Sequence, residues 1–499
     1  MPNIENVQDA STTEVNRGNM KNFGRRTKIV ATVGPASCSK EMICNLVDAG
    51  VDLFRLNFSH GKNDEKTVTI QYIREVSKQR EKQIGILADL QGPKIRTGRM
   101  ENGAIQLLKG DSLSITTRDL LGRPGLISTV YKALPNDVRA GSRILMDDGL
   151  IELKVAAVDG DTVHCTVIEG GTLKDLKGIN LPGVNVSSPS LTEKDRQDLE
   201  FCLQAGVDYI ALSFVRTAAD IEGVKRIIYE HDMHLPVIAK IEKPEALRNF
   251  KAILKVTDAV MVARGDLGVE INPEKVPLFQ KKIIRACNEA GKPVITATQM
   301  LESMISHPRP TRAETSDVAN AIIDGTDAVM LSGETASGAF PVEAVKTMGK
   351  IALNVEKSEL WRVSHRPDGI SNNISRAVAQ AACHAAASLN AKCIAVLTQS
   401  GSTAALISKF RPQLPIIAFT PFPEIQRRLS LYWGVNSCVV GKLSGTDEQI
   451  NAVEDTLLAN GFRKGDVIII TMGVPIEARG STNLLKVHKL GAKGFYEIF

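Results

Sequence analysis

The sequence predicts an α/β protein: a (β/α)8 TIM barrel carrying an inserted small β-barrel lid domain, followed by a C-terminal open-sheet α/β domain. Three observations predict it. Eight short β-branched runs alternate with helical stretches, and the runs are continuously apolar, as parallel strands covered on both faces are. The alternation breaks once, between Gln91 and Val207. It then changes character after about Trp361.

The expected barrel strands are Lys28–Val33, Leu53–Asn57, Ile84–Asp89, Tyr209–Phe214, Val237–Ile241, Ala259–Ala263, Val294–Thr298 and Ala328–Leu331. Helical patterns fall between them at Ser39–Ala49, Glu193–Ala205, Ala218–His231, Pro273–Ala290 and Arg312–Ile323. Eight βα units imply a closed barrel. The interval from Gln91 to Val207 is rich in Gly and Asp and holds alternating runs such as Ile151–Val155 and Thr162–Val167, the pattern of a small β domain. It follows the third strand, which places it over the C-terminal face as a lid. Beyond Trp361, the Ala-rich helix Ile374–Leu389 leads into strands at Cys393–Leu397, Ile416–Phe419, Cys438–Val440 and Val467–Thr471. The expected domains are a tail over residues 1–24, the barrel over 25–92 and 190–360, the lid over 93–189 and the last unit over 361–499.

The length of 499 residues agrees with about three domains. Lys and Arg number 61 against 56 Asp and Glu, and a net charge of +5 is too weak to argue for nucleic acid or a membrane surface as partner. Aromatic residues are only 4%, which counts against stacking platforms for single strands. No apolar run reaches the roughly 18 residues of a membrane span. The first 22 residues are polar, with Glu5, Asp9 and Glu14 and no apolar stretch; the expectation is a tail or interface arm rather than a leader, in a cytoplasmic protein. The eight Cys form no CxxC pair and sit mostly in apolar segments, as buried thiols of a reducing compartment do.

Barrel chemistry lies at the C-terminal strand ends, and polar groups cluster there. In order they are Thr32, then Arg55, Asn57, Ser59 and His60, then Asp89, Ser213, Lys240 with Glu242, Arg264 with Gly265 and Asp266, Thr298 with Gln299, and Ser332 with Glu334. One such group is more often a satisfied buried polar residue; the same placement on all eight strands is not. Glu242 and Asp266 lie on adjacent strands and suit Mg2+ or Mn2+ held by few protein ligands plus substrate. Arg55, Lys240 and Arg264 bring positive charge for a phosphoryl group. Gly265-Asp266-Leu267-Gly268 opens a helical region whose N–H groups suit a carboxylate or phosphate. No Walker A, kinase glycine loop, HExxH or Ser-His-Asp pattern is present. Leu397-Thr398-Gln399-Ser400-Gly401-Ser402-Thr403 follows a strand and opens a helix; it reads equally as a phosphate nest and as a well-capped helix start.

These residues stand in strings that resemble the pyruvate kinase family from about Arg25 onward. The strings are Lys28 to Ser37, Arg55 to Gly61, Lys240-Ile241-Glu242, Met261 to Gly268, Ala297 to Met304 and Met330 to Thr335. The resemblance implies transfer of the phosphoryl group of phosphoenolpyruvate to ADP, giving pyruvate and ATP. It implies that Glu242 and Asp266 hold the divalent metal and that Lys240 stabilises the phosphoryl in flight. It also implies that Arg55, Gly265, Asp266 and Thr298 contact substrate. Thr298, Ser332 and Glu334 match the region that protonates the enolate, and Thr32, Arg55, His60, Arg96 and Lys177 resemble nucleotide-side residues. Arg96 and Lys177 lie at the edges of the lid. The family's assembly is expected to be a homotetramer.

One region departs from the potassium-dependent pattern. The monovalent-cation site is similar to Asn57, Ser59, Asp89 and Leu90. Dependent members carry Thr at the position of Leu90 and Glu at that of Lys94. Leu90 has no hydroxyl, and the Lys94 ammonium can replace a free cation, so activity without potassium is expected. The loop with Thr398, Ser400, Gly401, Ser402 and Thr403 is similar to the family's sugar-phosphate activator loop, which makes the last domain regulatory. Arg479 to Asn483 resembles its covering loop but is shorter than in fructose-bisphosphate-responsive animal enzymes, so a monophosphate or nucleotide effector is also open. The sequence stops at Phe499, so the extra domain of some bacterial members is not expected. Two rival readings predict different residues. A divalent-metal barrel aldolase acting on pyruvate enolate would not need the lid or Lys240. A non-catalytic sensor would be expected to have lost Lys240 or a metal carboxylate.

Overall fold

The structure, a computed structural model, describes residues 24–358, 361, 373–442, 445–474 and 482–492. The tail, the Arg479–Ser481 part of the covering loop and the chain end lie outside the described residues. The first three strands are β1 Lys28–Val33, β2 Leu53–Asn57 and β3 Gly85–Asp89. The insert supplies β4 Ala104–Leu107, β5 Ser112–Thr116, β6 Leu126–Ser128, β7 Arg143–Met146, β8 Ile151–Asp159, β9 Thr162–Glu169, β10 Gly171–Lys174 and β11 Ile179–Asn180. The barrel resumes with β12 Tyr209–Leu212, β13 Val237–Ile241, β14 Ala259–Ala263, β15 Val294–Ala297 and β16 Ala328–Leu331. These strands close in the order β1-β16-β15-β14-β13-β12-β3-β2, all parallel. Their residues are almost uniformly buried, because helices cover the outside and side chains fill the inside.

Helix starts follow local chemistry. Thr192 and Asp195 form a capping box before Glu193–Ala205, and Thr311 and Glu314 form another before Arg312–Ile323. The helix expected from Pro273 begins at Val276, because Pro273–Lys275 turns as a separate 3-10 segment and Pro277 sits in the first turn, where its missing N–H costs nothing. Two strands end earlier than their apolar runs suggest. Phe214 has φ +55°, and Thr298 and Gln299 have φ +67° and +52°, so neither run can continue extended.

The insert surrounds one apolar core that includes Ile115, Ile144, Leu153 and Val163. Its ladder is a six-stranded sheet, β11-β7-β8-β9-β5-β6, with a separate β10-β4 ribbon. Single bridges at Arg96–Gly178 and Thr97–Thr129 tie its two ends. Insert and barrel form one compact unit that begins at Thr27.

The second unit contains the described residues from Asn373 onward. Its sheet, in the order β19-β18-β17-β20-β21, comprises β17 Ile394–Leu397, β18 Ile416–Thr420, β19 Val435–Val439, β20 Val467–Met472 and β21 Leu484–Lys489. β21 is antiparallel to β20 and was not expected; its alternation with Lys486, His488 and Lys489 suits an edge. All eight cysteines are free, five of them buried, while Cys38 is exposed. Among the described residues no helix is long and apolar enough to cross a membrane.

Candidate active site

Parallel register carries Arg55, Asp89 and Lys240 to the same end of the barrel. Arg55 Nε donates to Asp89 Oδ2 at 2.7 Å and its Nη1 to Thr32 Oγ1 at 3.1 Å. Lys240 Nζ lies 3.1 Å from Asp89 Oδ1 and 2.9 Å from Glu242 Oε1, and donates to Ser213 Oγ at 2.7 Å. Asp89 therefore bridges two cations while only 1% exposed. Burial alone would raise its pKa; Lys240 and Arg55 overrule burial and hold the carboxyl below its ordinary value. Burial would likewise lower Lys240, but Asp89 and Glu242 outweigh it and hold the ammonium well above its ordinary value. Glu242 is the exception. Burial, reinforced by Asp266 and opposed by Lys240, leaves its carboxyl raised.

Glu242 Oε2 accepts from the Phe214 N–H at 2.8 Å, whereas Oε1 has no well-aligned hydrogen bond despite its contact with Lys240. A buried carboxylate oxygen without a full partner, beside a second carboxylate, fits a divalent cation. Among the described residues no group of three or more His, Cys, Asp or Glu could hold a metal. The site thus offers two carboxylates and leaves the other positions to substrate and water.

The next strand ends are held by backbone chemistry. Thr298 Oγ1 accepts from the Gly265 N–H at 2.8 Å and donates to Ala297 O at 2.6 Å. Arg264 does not face the cleft, contrary to the charge argument. Its guanidinium donates to Ala297 O (3.3 Å), Thr298 O (2.7 Å) and Gln299 O (3.3 Å), and pairs with Asp317 at 2.7 Å. It straps the positive-φ turn rather than meeting a phosphoryl group. Glu334, fully buried, accepts from the N–H groups of Leu301 (3.0 Å) and Ser332 (2.7 Å). Ser332 Oγ is buried without a hydrogen-bond partner.

One cleft has Arg55, Asn57, Ser59, His60, Asp89, Leu90, Lys94, Arg96, Lys240, Glu242 and Asp266 on its wall, whereas Gly265, Thr298, Ser332 and Glu334 are not among its lining residues. Four cations face three carboxylates there. Two expected nucleotide residues sit differently. Thr32 is 3% exposed, and its hydroxyl accepts from Arg55 and donates to Leu331 O at 2.8 Å, so it positions Arg55. Lys177 lies off the cleft wall and pairs with Asp147 at 2.7 Å. Leu90 is buried, and Asn57 Oδ1 is taken by the Ser59 N–H at 3.0 Å. The His60 pKa is lowered by burial first and then by Arg96, Lys94, Lys66 and Arg55. Burial and the neighbouring cations thus both favour the neutral ring. In an NMR titration, Arg96→Ala is expected to move the His60 midpoint up toward 6.5; an unchanged midpoint would place Arg96 away from the ring.

In the second unit the Thr398–Thr403 loop is partly self-satisfied. Thr398 Oγ1 accepts from the Gly401 N–H at 2.9 Å, and Thr403 Oγ1 pairs with Thr482 Oγ1 at 2.8 Å. Gly401, at φ +86°, turns the chain into the helix Ser402–Lys409 with its would-be Cβ 3.3 Å from Leu429. Ser400 and Ser402 are the exposed hydroxyls. Asn483 exchanges hydrogen bonds with Val474 at 2.8 and 2.6 Å, closing the base of the covering loop.

The residues that sequence reasoning missed act by position. Phe214 gives its N–H to Glu242 only because its φ is positive, and no local pattern announces that. Asp195 caps its own helix and also accepts from the Gly92 N–H at 3.1 Å, fixing the lid hinge; the capping pattern was a visible signal for the first role alone.

Buried cations beside paired carboxylates, at the strand ends of a closed (β/α)8 barrel with a β insert over them, define a barrel phosphotransferase. The profile described as "Pyruvate kinase, barrel domain" matches residues 24–345, and "Pyruvate kinase, alpha/beta domain" matches 376–488. A pyruvate kinase of Geobacillus stearothermophilus is 50% identical over 479 residues, covering 94% of this chain and 82% of that one. One of Staphylococcus aureus is 49% identical over 472 residues, covering 94% and 81%. The crystal structure of a pyruvate kinase from Cryptosporidium parvum is similar with a TM-score of 0.86 at 40% identity, covering 94% of this chain and 96% of that one. The chain belongs to the pyruvate kinase family. It is an enzyme that moves the phosphoryl group of phosphoenolpyruvate to ADP, giving pyruvate and ATP.

Proposed function

We propose that this transfer runs in the Arg55–Asp89–Lys240–Glu242 network, with activity independent of potassium. The observation that carries the reading is the buried Lys240 ammonium, clamped between two carboxylates and next to Arg55. An oxygen of the ADP β-phosphate forms the new bond to phosphorus as the bond to the enol oxygen breaks. The electron pair stays on pyruvate enolate, whose methylene carbon then takes a proton. Lys240 and Arg55 neutralise the charge spread over the phosphoryl oxygens. Glu242 and Asp266 hold Mg2+ or Mn2+, which when bound adds positive charge at substrate oxygens. Gly265 and Thr298 orient the substrate. Thr298, Ser332 and Glu334 organise the water that supplies the proton, a role supported by the unpartnered Ser332 hydroxyl and by the fully buried Glu334 that accepts from the Ser332 N–H.

His60 and Arg96 serve the nucleotide side, and Lys177 joins them when it leaves Asp147. Ser400, Ser402 and the N–H groups around Gly401 take the phosphate of a sugar-phosphate or nucleotide effector, which activates only by binding the active state better. The assembly is a homotetramer in the cytoplasm. Lys94 stands on the cleft wall without an ion pair and supplies the monovalent charge in place of potassium. Pyruvate formation from phosphoenolpyruvate and ADP is expected in a magnesium buffer with sodium as the only monovalent cation. Lys94→Glu is expected to lose at least about tenfold there and to recover with KCl. Wild-type activity that collapses in sodium or choline and returns with KCl refutes the potassium reading.

A further inference from the structure

Glu270 ends the short helix Arg264–Glu270, one turn beyond Asp266, and is 5% exposed. Its Oε1 accepts from two groups: Asn180 Nδ2 at 2.8 Å and Lys243 Nζ at 2.6 Å. Asn180 belongs to β11, the strand by which the chain leaves the insert on its way back to the barrel. Lys243 follows Glu242, and its ammonium lies 5.4 Å from the ring of Phe214, the residue whose N–H holds Glu242 Oε2. A single buried oxygen thus joins the root of the lid to both elements that carry the metal carboxylates. A second touch lies beside it. The lid turn at Asp147, Asp148 and Gly149 has three consecutive positive φ angles, and a Cβ on Gly149 would sit 3.6 Å from Val269, the neighbour of Glu270. Asn180, Lys243 and Phe214 also border a narrow recess that has Lys94 and Asp266 on its wall.

We propose that Glu270 is a positioning residue: it latches the lid through Asn180 to the barrel elements bearing Glu242 and Asp266, and so holds the lid-borne cations Lys94 and Arg96 at the cleft. A hydrogen bond from a neutral amide to a buried carboxylate is strong, because the acceptor carries charge and water is excluded. Lys243 meets the same oxygen at 2.6 Å, so one acceptor carries both partners of the latch. The inference deepens the nucleotide-side reading of Arg96 and rests on it for its kinetic consequence only.

The test uses the full-length enzyme with Asn180→Ala, Glu270→Gln, Glu270→Ala and the Asn180→Ala/Glu270→Ala pair, each shown folded by its melting curve. Asn180→Ala is expected to raise KM for ADP about tenfold, leaving KM for phosphoenolpyruvate and Mn2+ affinity unchanged. Glu270→Gln, which can still accept from Asn180, is expected to lose less than Glu270→Ala. In the double variant Asn180→Ala adds nothing to the effect of Glu270→Ala. Hydrogen exchange of the segment around Ile179, whose N–H bonds Ile95 O, is expected to quicken in Asn180→Ala. Unchanged exchange there, or effects of the two variants that simply add, overturns the latch. Faster exchange with an unchanged KM for ADP supports the latch and overturns instead the placing of Arg96 on the nucleotide side.

Discussion

Lys240→Met lowers turnover on the order of a thousandfold while leaving KM for phosphoenolpyruvate and Mn2+ binding close to wild type. Lys240 is 9% exposed and makes three polar contacts, to Asp89, Glu242 and Ser213. Methionine fills the same volume without the charge. Negative charge that develops on the transferred phosphoryl group then meets Asp89 and Glu242 with one fewer cation between them. The ground state loses less, because Arg55 still holds Asp89. The melting temperature should fall as well, since two buried carboxylates lose a partner, and breaking a buried pair costs about 3–5 kcal/mol. A coupled assay for pyruvate, run beside a Mn2+ binding isotherm and a thermal melt, separates the two effects. Near-normal turnover in a folded variant would sink the role given to Lys240.

Arg264→Lys is expected to lower kcat about a hundredfold with little change in KM for ADP, since a misplacement of about 1 Å in a reacting group costs this much. The arginine does not meet substrate in this structure. It holds three successive carbonyls, of Ala297, Thr298 and Gln299, and thereby keeps two non-glycine residues at positive φ. Lysine keeps the charge opposite Asp317 but has no planar fork to span the carbonyls. The Thr298 hydroxyl then loses its alignment with the Gly265 N–H. Arg264→Lys turnover within about twofold of wild type would mean that the turn stands without its strap.

The barrel was legible because each parallel strand is buried on both faces and writes a continuous apolar run into the sequence. The last unit was legible for the same reason, except for β21. An edge strand carries Lys486 and Lys489 and leaves no such run. The site was legible as a set of strand ends, since barrel topology brings C-terminal ends together whatever their order along the chain. Its internal wiring was not. The position of Arg264 beside Gly265 and Asp266 suggested a phosphoryl contact, yet the side chain folds back. Thr32 proved a support for Arg55, and Lys177 is taken up by Asp147. In each case the deciding fact is the direction of a side chain, which spacing does not encode.

Family, reaction, closed barrel, the insert after the third strand and the neighbourhood of Lys240, Glu242 and Asp266 can all be read along the chain. Hydrophobic period and motif order suffice for these, because they are properties of consecutive residues. Folding alone settles that Asp89 is shared by Arg55 and Lys240, that Glu242 keeps an oxygen poorly satisfied, that Phe214 and Thr298 sit at positive φ, and that Glu270 accepts from Asn180 at the root of the lid. These arrangements join residues far apart in the chain. Each is held by low-dielectric charge pairs and by backbone groups that need a buried partner, and those forces act only after the barrel has closed.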